Sequence, residues 1–440
     1  MTFSTRTAIH FLSLLSFPVL AQVPQTLVPI DESVAEVFQQ IASDERVRSL
    51  LQLIEAREPD NVREQFRITE IPAPPFQEER RAVYYLEQMR TRGLSDAYID
   101  TEGNAIGIRK GTGNGPTLLI AAHLDTVFPE DVDTTVELRG GRYYAPGIGD
   151  DTRGLAVLLS IIEVLNESGI ETVGDIIFSG NVGEEGRGDL RGIKAIFRDY
   201  PEIDGFISID GVQLRRITTG ATGSRRFEFH FKGPGGHSFG AFGLPSAIHA
   251  MGRAIAKISQ LETLPFPKTT FTVGTVEGGT SVNSIAADAT FAIDMRSNDR
   301  GQLAKLEERT KAAALEAVAE EKARWNNGQV TVEFNLIGDR PVGRTPTESS
   351  IVQVAALAFD KIGIELQELG ISSTDSNVPM SLGIPAITIA GGGNGGGSHS
   401  PNEWFVPINS HKGPQVSLLI LLTLVGIDEL SSPLLEDRDH

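Results

Sequence analysis

The chain has 440 residues, enough for two domains or one large one. At 40% hydrophobic and 22% charged it can bury a real core. Its 58 acidic and 39 basic residues give a formal charge of −19, which argues against a nucleic-acid binder, which needs a basic face, and against docking on anionic lipid. Cysteine is absent, so disulfides, thiolate metal sites and cysteine nucleophiles are excluded, and any metal must be held by His, Asp, Glu or water.

The N-terminus reads as a secretory signal over residues 1–21. Arg6 supplies a positive start, residues 8–20 are apolar, and Val19-Leu20-Ala21 offers small or short side chains where a signal peptidase reads. The run is too short for a spanning helix of ~20 residues. The mature chain is therefore expected to be periplasmic or secreted, with no membrane segment. Removing Arg6 makes it one unit more acidic.

Apolar spacing predicts helices over 34–56 and 78–92, the second preceded by the breaker Pro72-Ala73-Pro74-Pro75. Strands follow at 105–109 and 117–122, a helix at 154–166, and buried strands at 175–179 and 206–209. Strands alternating with helices imply an α/β sheet flanked by helices on both faces. After about residue 217 the pattern changes. Phe227, Phe229 and Phe231 alternate with Arg226, Glu228, His230 and Lys232, a half-buried strand. A helix at 245–261, strands at 270–277 and 287–295, a helix at 302–323 and a strand at 329–336 complete a ferredoxin-like order. The α/β pattern resumes with a strand at 386–389, and residues 418–425 fit a terminal core helix. The expected organisation is an α/β domain over 22–217 and 340–440, with an α+β domain inserted over 218–339.

Several acidic or histidine clusters fall at strand ends, where open α/β sheets place ligand sites. His123-Leu124-Asp125 puts two polar side chains on one face of an extended segment; alone, it reads first as a structural pair. Asp150-Asp151 lies in a glycine-rich loop before a helix. Adjacent carboxylates there repel unless a cation is near, or one of them caps the helix. Glu184-Glu185 follows a buried strand and can serve a metal and a proton, or be a solvated turn. Ile207-Ser208-Ile209 runs into Asp210, and a glycine run at 391–397 leads to His399 and Glu403. That run is not a Walker loop, because no Gly-Lys-Ser/Thr follows.

The order His-x-Asp, Asp-Asp, Glu-Glu, Asp-Gly and a distant His resembles the M20 family of metallopeptidases and amidohydrolases, which includes glutamate carboxypeptidases and tripeptide aminopeptidases. The resemblance runs from Ile71-Pro72-Ala73-Pro74 to Trp404. It implies a zinc-exopeptidase-like mixed sheet with an inserted ferredoxin-like lid that makes a homodimer. It implies two Zn²⁺ ions, although Mn²⁺ or Co²⁺ also suit such ligands. His123 would bind one ion and His399 the other, with Asp150 bridging and Glu185 and Asp210 completing the two shells. Glu184 matches the catalytic base, and Asp125 a residue that orients the His123 ring. A cis peptide is expected at Asp150-Asp151. In the insert, Gly233-Pro234-Gly235-Gly236-His237-Ser238 resembles the loop that reaches a neighbouring subunit, where His237 would stabilise the oxyanion. Asn283 and Arg296 match residues that hold the substrate carboxylate, helped by the glycine run, and Asp375 would support the site from outside. Without the resemblance, His237 reads as a turn residue and Arg296 as a strand-end ion pair.

The function implied is an exported dinuclear zinc hydrolase that cleaves an amide bond of a small substrate with a free carboxylate, first a di- or tripeptide. An N-acyl-amino-acid amidohydrolase is the alternative, and a non-catalytic metal- or peptide-binding protein a third reading that the intact Glu184 disfavours. The remaining histidines, His10, His230, His249, His411 and His440, have no partner motif.

Overall fold

The computed structural model describes residues 27–113 and 115–438, so the leader expected over 1–21 lies outside the described residues. The main sheet has nine strands, in the order Ala97–Ile99, Ala105–Arg109, Asp175–Asn181, Thr117–His123, Ile203–Ile209, Ala386–Ile389, Arg216–Ala221 and Gly343–Arg344, with Glu368–Ser372 branching from Arg216–Ala221. It is mixed. Thr117–His123 runs parallel to both Asp175–Asn181 and Ile203–Ile209, whereas Ala105–Arg109 is antiparallel to Asp175–Asn181. The run Leu118-Leu-Ile-Ala-Ala122 is wholly buried because helices cover both faces of the sheet.

The helix expected over 34–56 is two helices, Glu32–Ser43 and Glu45–Thr69. Asp44 breaks the run. Its backbone is extended, and its carboxylate accepts from the Arg46 and Val47 N–H groups, an N-cap that apolar spacing alone does not reveal. The second helix then continues through Pro59 to Thr69. Lys412–Val425 is buried from Gly413 onward, as expected of a helix apolar all round. No helix among the described residues is long and apolar enough to cross a membrane.

A second sheet contains Thr269–Gly278, Asp288–Ser297, Gly223–Lys232 and Thr331–Arg340, in that spatial order and antiparallel throughout. With helices Ala247–Ile258 and Arg300–Trp325 this is the ferredoxin-like arrangement. The alternating phenylalanines carry its core. Phe229 lies 4.8 Å, centroid to centroid, from both Phe291 and Phe334. A third, small sheet pairs Trp404–Val406 with Arg142–Tyr144 and so draws the chain around His399 toward the Asp150 loop.

Phe229→Ala is expected to destabilise this second core by ~3–5 kcal/mol, the range for removing a buried phenylalanine. Urea unfolding followed by circular dichroism measures it, and a loss under ~1 kcal/mol would place Phe229 outside the core's energetics.

Candidate metal centre

Three adjacent parallel strands end together: Thr117–His123, Asp175–Asn181 and Ile203–Ile209. Their carboxyl ends deliver His123, the Glu184-Glu185 turn and Asp210 to one place. The His123 ring turns Nε2 toward Asp150 Oδ1 at 3.1 Å. From the opposite side His399 Nε2 lies 3.2 Å from Asp150 Oδ2 and 2.7 Å from Glu185 Oε1. Asp150 thus stands between the two imidazoles with one carboxylate oxygen toward each. Ligand atoms of His123, Asp150 and Glu185 lie within 4.8 Å of one another. Asp150, Glu184, Glu185, Asp210 and His399 line a cleft of about 510 Å³.

The electrostatics are those of a cation site. Burial pushes the Asp210 carboxyl up to about 7, with the Asp150 and Glu185 charges adding to it. Burial works to raise Asp150 as well, but the two histidines hold it well below the ordinary carboxylate range. His399 is raised to about 10 by its hydrogen bonds to Asp150 and Glu185. For His123, burial opposes protonation and is outweighed by Asp125 and Asp150, so its pKa also stands well above the ordinary value. Imidazole and carboxylate donors without thiolate suit Zn²⁺, Mn²⁺ or Co²⁺, and the crowding of acidic groups calls for positive charge among them.

Supporting groups hold this cluster from behind. The Asp125 carboxylate accepts from the Glu184 N–H at 3.0 Å and the Glu185 N–H at 2.8 Å, which fixes the Glu-Glu turn. The His123 ring meets Asp125 through the main chain, with Nδ1 3.0 Å from the Asp125 carbonyl, and the carboxylate stands 3.6 Å away. Asp151 is buried. It accepts from the Gly154 N–H at 3.1 Å, capping helix Thr152–Ser168, and from the His123 N–H at 3.3 Å. The Asp150-Asp151 peptide is cis, as expected. Thr126 N–H donates to the Ala73 carbonyl, tying the His-x-Asp segment to the Pro-rich stretch. Asp375 accepts from Asn181 Nδ2 at 2.8 Å behind the cluster.

Two residues without an assigned role in the motifs matter here. Glu403 is buried and accepts from the Gly147, Gly149 and Asp150 N–H groups at 2.8, 2.8 and 3.0 Å, pinning the Asp150 loop. Its place four residues after His399 was the available signal. Arg340, the last residue of Thr331–Arg340, is buried and donates to Glu184 Oε1 at 3.0 Å and to the Glu184 carbonyl. No local pattern marks it, because its partner lies 156 positions away.

Of the substrate residues expected in the insert, Arg296 lines the metal cleft, its Nε donating to Asp294 Oδ2 at 2.7 Å. His237 and Asn283 do not reach it. They line a separate concavity of about 610 Å³, with the His237 ring exposed and its Nδ1 accepting from the Gly240 N–H at 3.2 Å. His230 pairs with Asp288 on the outer strand face.

A family model described as peptidase family M20/M25/M40 matches residues 119–422, more than half of the chain. The chain belongs to this family. The YqjE protein of Bacillus subtilis (strain 168) is 30% identical over 305 residues, covering 66% of this chain and 76% of that protein. Carboxypeptidase G2 of Pseudomonas sp. (strain RS-16) is 26% identical over 325 residues, covering 70% and 73%. Among solved structures, aminopeptidase PepT from Bacillus cereus ATCC 10987 superposes with a TM-score of 0.65 at 23% identity, covering 82% of this chain and 96% of that one. As an M20 member the protein is a hydrolase acting on peptide or amide bonds.

The cited shifts set the sign of a pH dependence in chelator-treated protein. His123 and His399 have raised folded-state values, so their contribution is present below 6.5 and lost as pH rises, for His399 through about 10. Asp210 and Glu403, raised to about 7, and Asp375, raised to about 6, bind protons more tightly when folded, so they too disfavour the folded state as pH climbs past the usual carboxylate range. Asp150 acts in the opposite sense only below 3.8. The thermal midpoint of metal-stripped protein is expected to fall from about pH 6 to about pH 9 by calorimetry, and a midpoint that rises over that window would contradict the charge arrangement.

Proposed function

We propose that the protein is an exported dinuclear zinc hydrolase that cleaves the amide bond of a small substrate bearing a free carboxylate, acting as a di- or tripeptide exopeptidase. The observation that carries this reading is Asp150 standing between His123 and His399 with Glu185 in reach and Glu184 beside them in one cleft. His123 and Asp210 would hold one cation, His399 and Glu185 the other, and Asp150 both. When bound, the cations supply Lewis acidity at the scissile carbonyl and ease deprotonation of the attacking water.

Glu184 does the proton work. It takes a proton from the water and passes it to the leaving amine, a role that suits a carboxylate whose pKa burial pushes well above the ordinary value. Arg340 holds the Glu184 carboxylate in place. Arg296 receives the free carboxylate of the substrate through the guanidinium N–H groups that Asp294 leaves open.

A second copy of the chain would complete the site. Supporting this, His237 and Asn283 line a concavity that shares no residue with the metal cleft of their own chain. Phe239 and Phe242 are exposed nearby in sequence, apolar surface of the sort that subunit contacts cover. Cleavage after Ala21 would free the mature chain outside the cytoplasm.

Glu184→Gln is expected to lower kcat on dipeptides by ~10²–10⁴-fold while elemental analysis still finds two metal ions per chain, as in the unaltered protein. Turnover at the original rate would remove Glu184 from the mechanism.

A further inference from the structure

Among the described residues, four arginines line the metal cleft: Arg216, Arg226, Arg296 and Arg340. Three are engaged. Arg340 holds Glu184, and Arg226 and Arg296 share the Asp294 carboxylate at 2.8 and 2.7 Å, with Arg226 also donating to the Gly186 carbonyl. Arg216 is different. Its ion-pair partner is Glu368 at 3.8 Å, beyond hydrogen-bond length, and the two side chains are 43% and 59% exposed. Exposed pairs of this kind contribute little, so Glu368 leaves the Arg216 donors open to a better acceptor.

The fold makes room for Arg216 where it stands. It begins strand Arg216–Ala221, which runs parallel to Glu368–Ser372. A Cβ at Gly370 on that neighbour would lie 2.3 Å from Arg216 Cδ and 2.9 Å from Nε. Any larger residue at position 370 would push the stem aside, so glycine leaves the track along which the arginine lies. Arg216 and Asp210 also line an adjoining recess of about 350 Å³ with Gln213, Arg215 and Glu368. That recess gives a substrate group beyond the metal cluster somewhere to go.

We propose that Arg216 is a specificity-determining residue that binds a second carboxylate, so that the substrate class is a small amide carrying two carboxylates, one for Arg296 and one for Arg216. The inference rests on the hydrolase reading above and names its substrate. A guanidinium offers a planar pair of donors that matches a carboxylate in a bidentate manner.

The test compares isosteric substrates on the metal-loaded enzyme. N-succinyl-L-alanine against N-butyryl-L-alanine places the extra carboxylate on the acyl side, and N-acetyl-L-glutamate against N-acetyl-L-glutamine places it on the amine side. The acidic member of at least one pair is expected to have kcat/KM about 10–100-fold higher. Arg216→Gln should erase that ratio and Arg216→Lys restore part of it; the responsive pair tells which side Arg216 reads. Equal kcat/KM for the two members of each pair, or a preference untouched by Arg216→Gln, would overturn the proposal. A second readout needs no turnover: by calorimetry glutarate should bind at least tenfold tighter than butyrate, and Arg216→Gln should abolish the difference. Equal affinities in the unaltered protein also overturn the proposal. Retention of the glutarate preference by a protein that hydrolyses no amide would instead support the carboxylate site while removing the hydrolase reading.

Discussion

Asp150, Glu184, Glu185 and Asp210 line one cleft, and Asp125, Asp151, Asp375 and Glu403 stand behind them. Burial alone pushes the Asp210 and Asp151 carboxyls up, and the neighbouring carboxylates add to the shift. The surrounding chain answers this with directed hydrogen-bond donors. Asp125 receives two backbone N–H groups, Glu403 three, Asp151 two, and Glu184 an arginine. What these donors leave unbalanced, among His123, Asp150 and Glu185, is the candidate metal site.

The architecture delivers these compensations from separate layers. The main sheet brings strand ends together, so His123, Glu184, Glu185 and Asp210 need only short loops. The small third sheet folds the chain around His399 and Glu403 back over the Asp150 loop. In that loop Gly147 takes a φ of +76° and passes so close to Thr126 that a Cβ would stand 2.7 Å from its Cγ2. Glycine avoids both penalties. The ferredoxin-like sheet touches the Glu184-Glu185 turn and the helix after it directly. Arg226 donates to the Gly186 carbonyl, the Asp339 N–H to Asp189 at 2.8 Å, Lys194 to the Asp339 carbonyl at 2.8 Å, and Arg340 to Glu184. The placement of the second sheet and the orientation of Glu184 are thus linked through a few polar contacts.

Much of this was legible along the chain. The buried strand Thr117–His123, the alternating phenylalanines of Gly223–Lys232 and the apolar helix Lys412–Val425 are local patterns, because burial on two faces, one face or all round leaves its own period. The acidic and histidine motifs were visible too, since each sits within a few residues of a strand end. Harder to see were the break at Asp44, the helix Ser350–Lys361 and the short pairing strands of the third sheet, where a single cap or a few residues carry the signal.

Residue order by itself determined which side chains could carry the chemistry: no cysteine, two adjacent acidic pairs, and histidines placed to flank them. Only the tertiary structure decided that Asp150 stands between His123 and His399, that Asp125 braces the Glu184-Glu185 turn, and that Arg340 and Glu403 belong to the site at all. It also decided that His237 and Asn283 lie apart from the cleft while Arg216 borders it. The physical reason is range. Hydrophobic period, caps and turns are written within a few residues, whereas the pairing of charges depends on distances between segments hundreds of residues apart, which only the packed sheet sets.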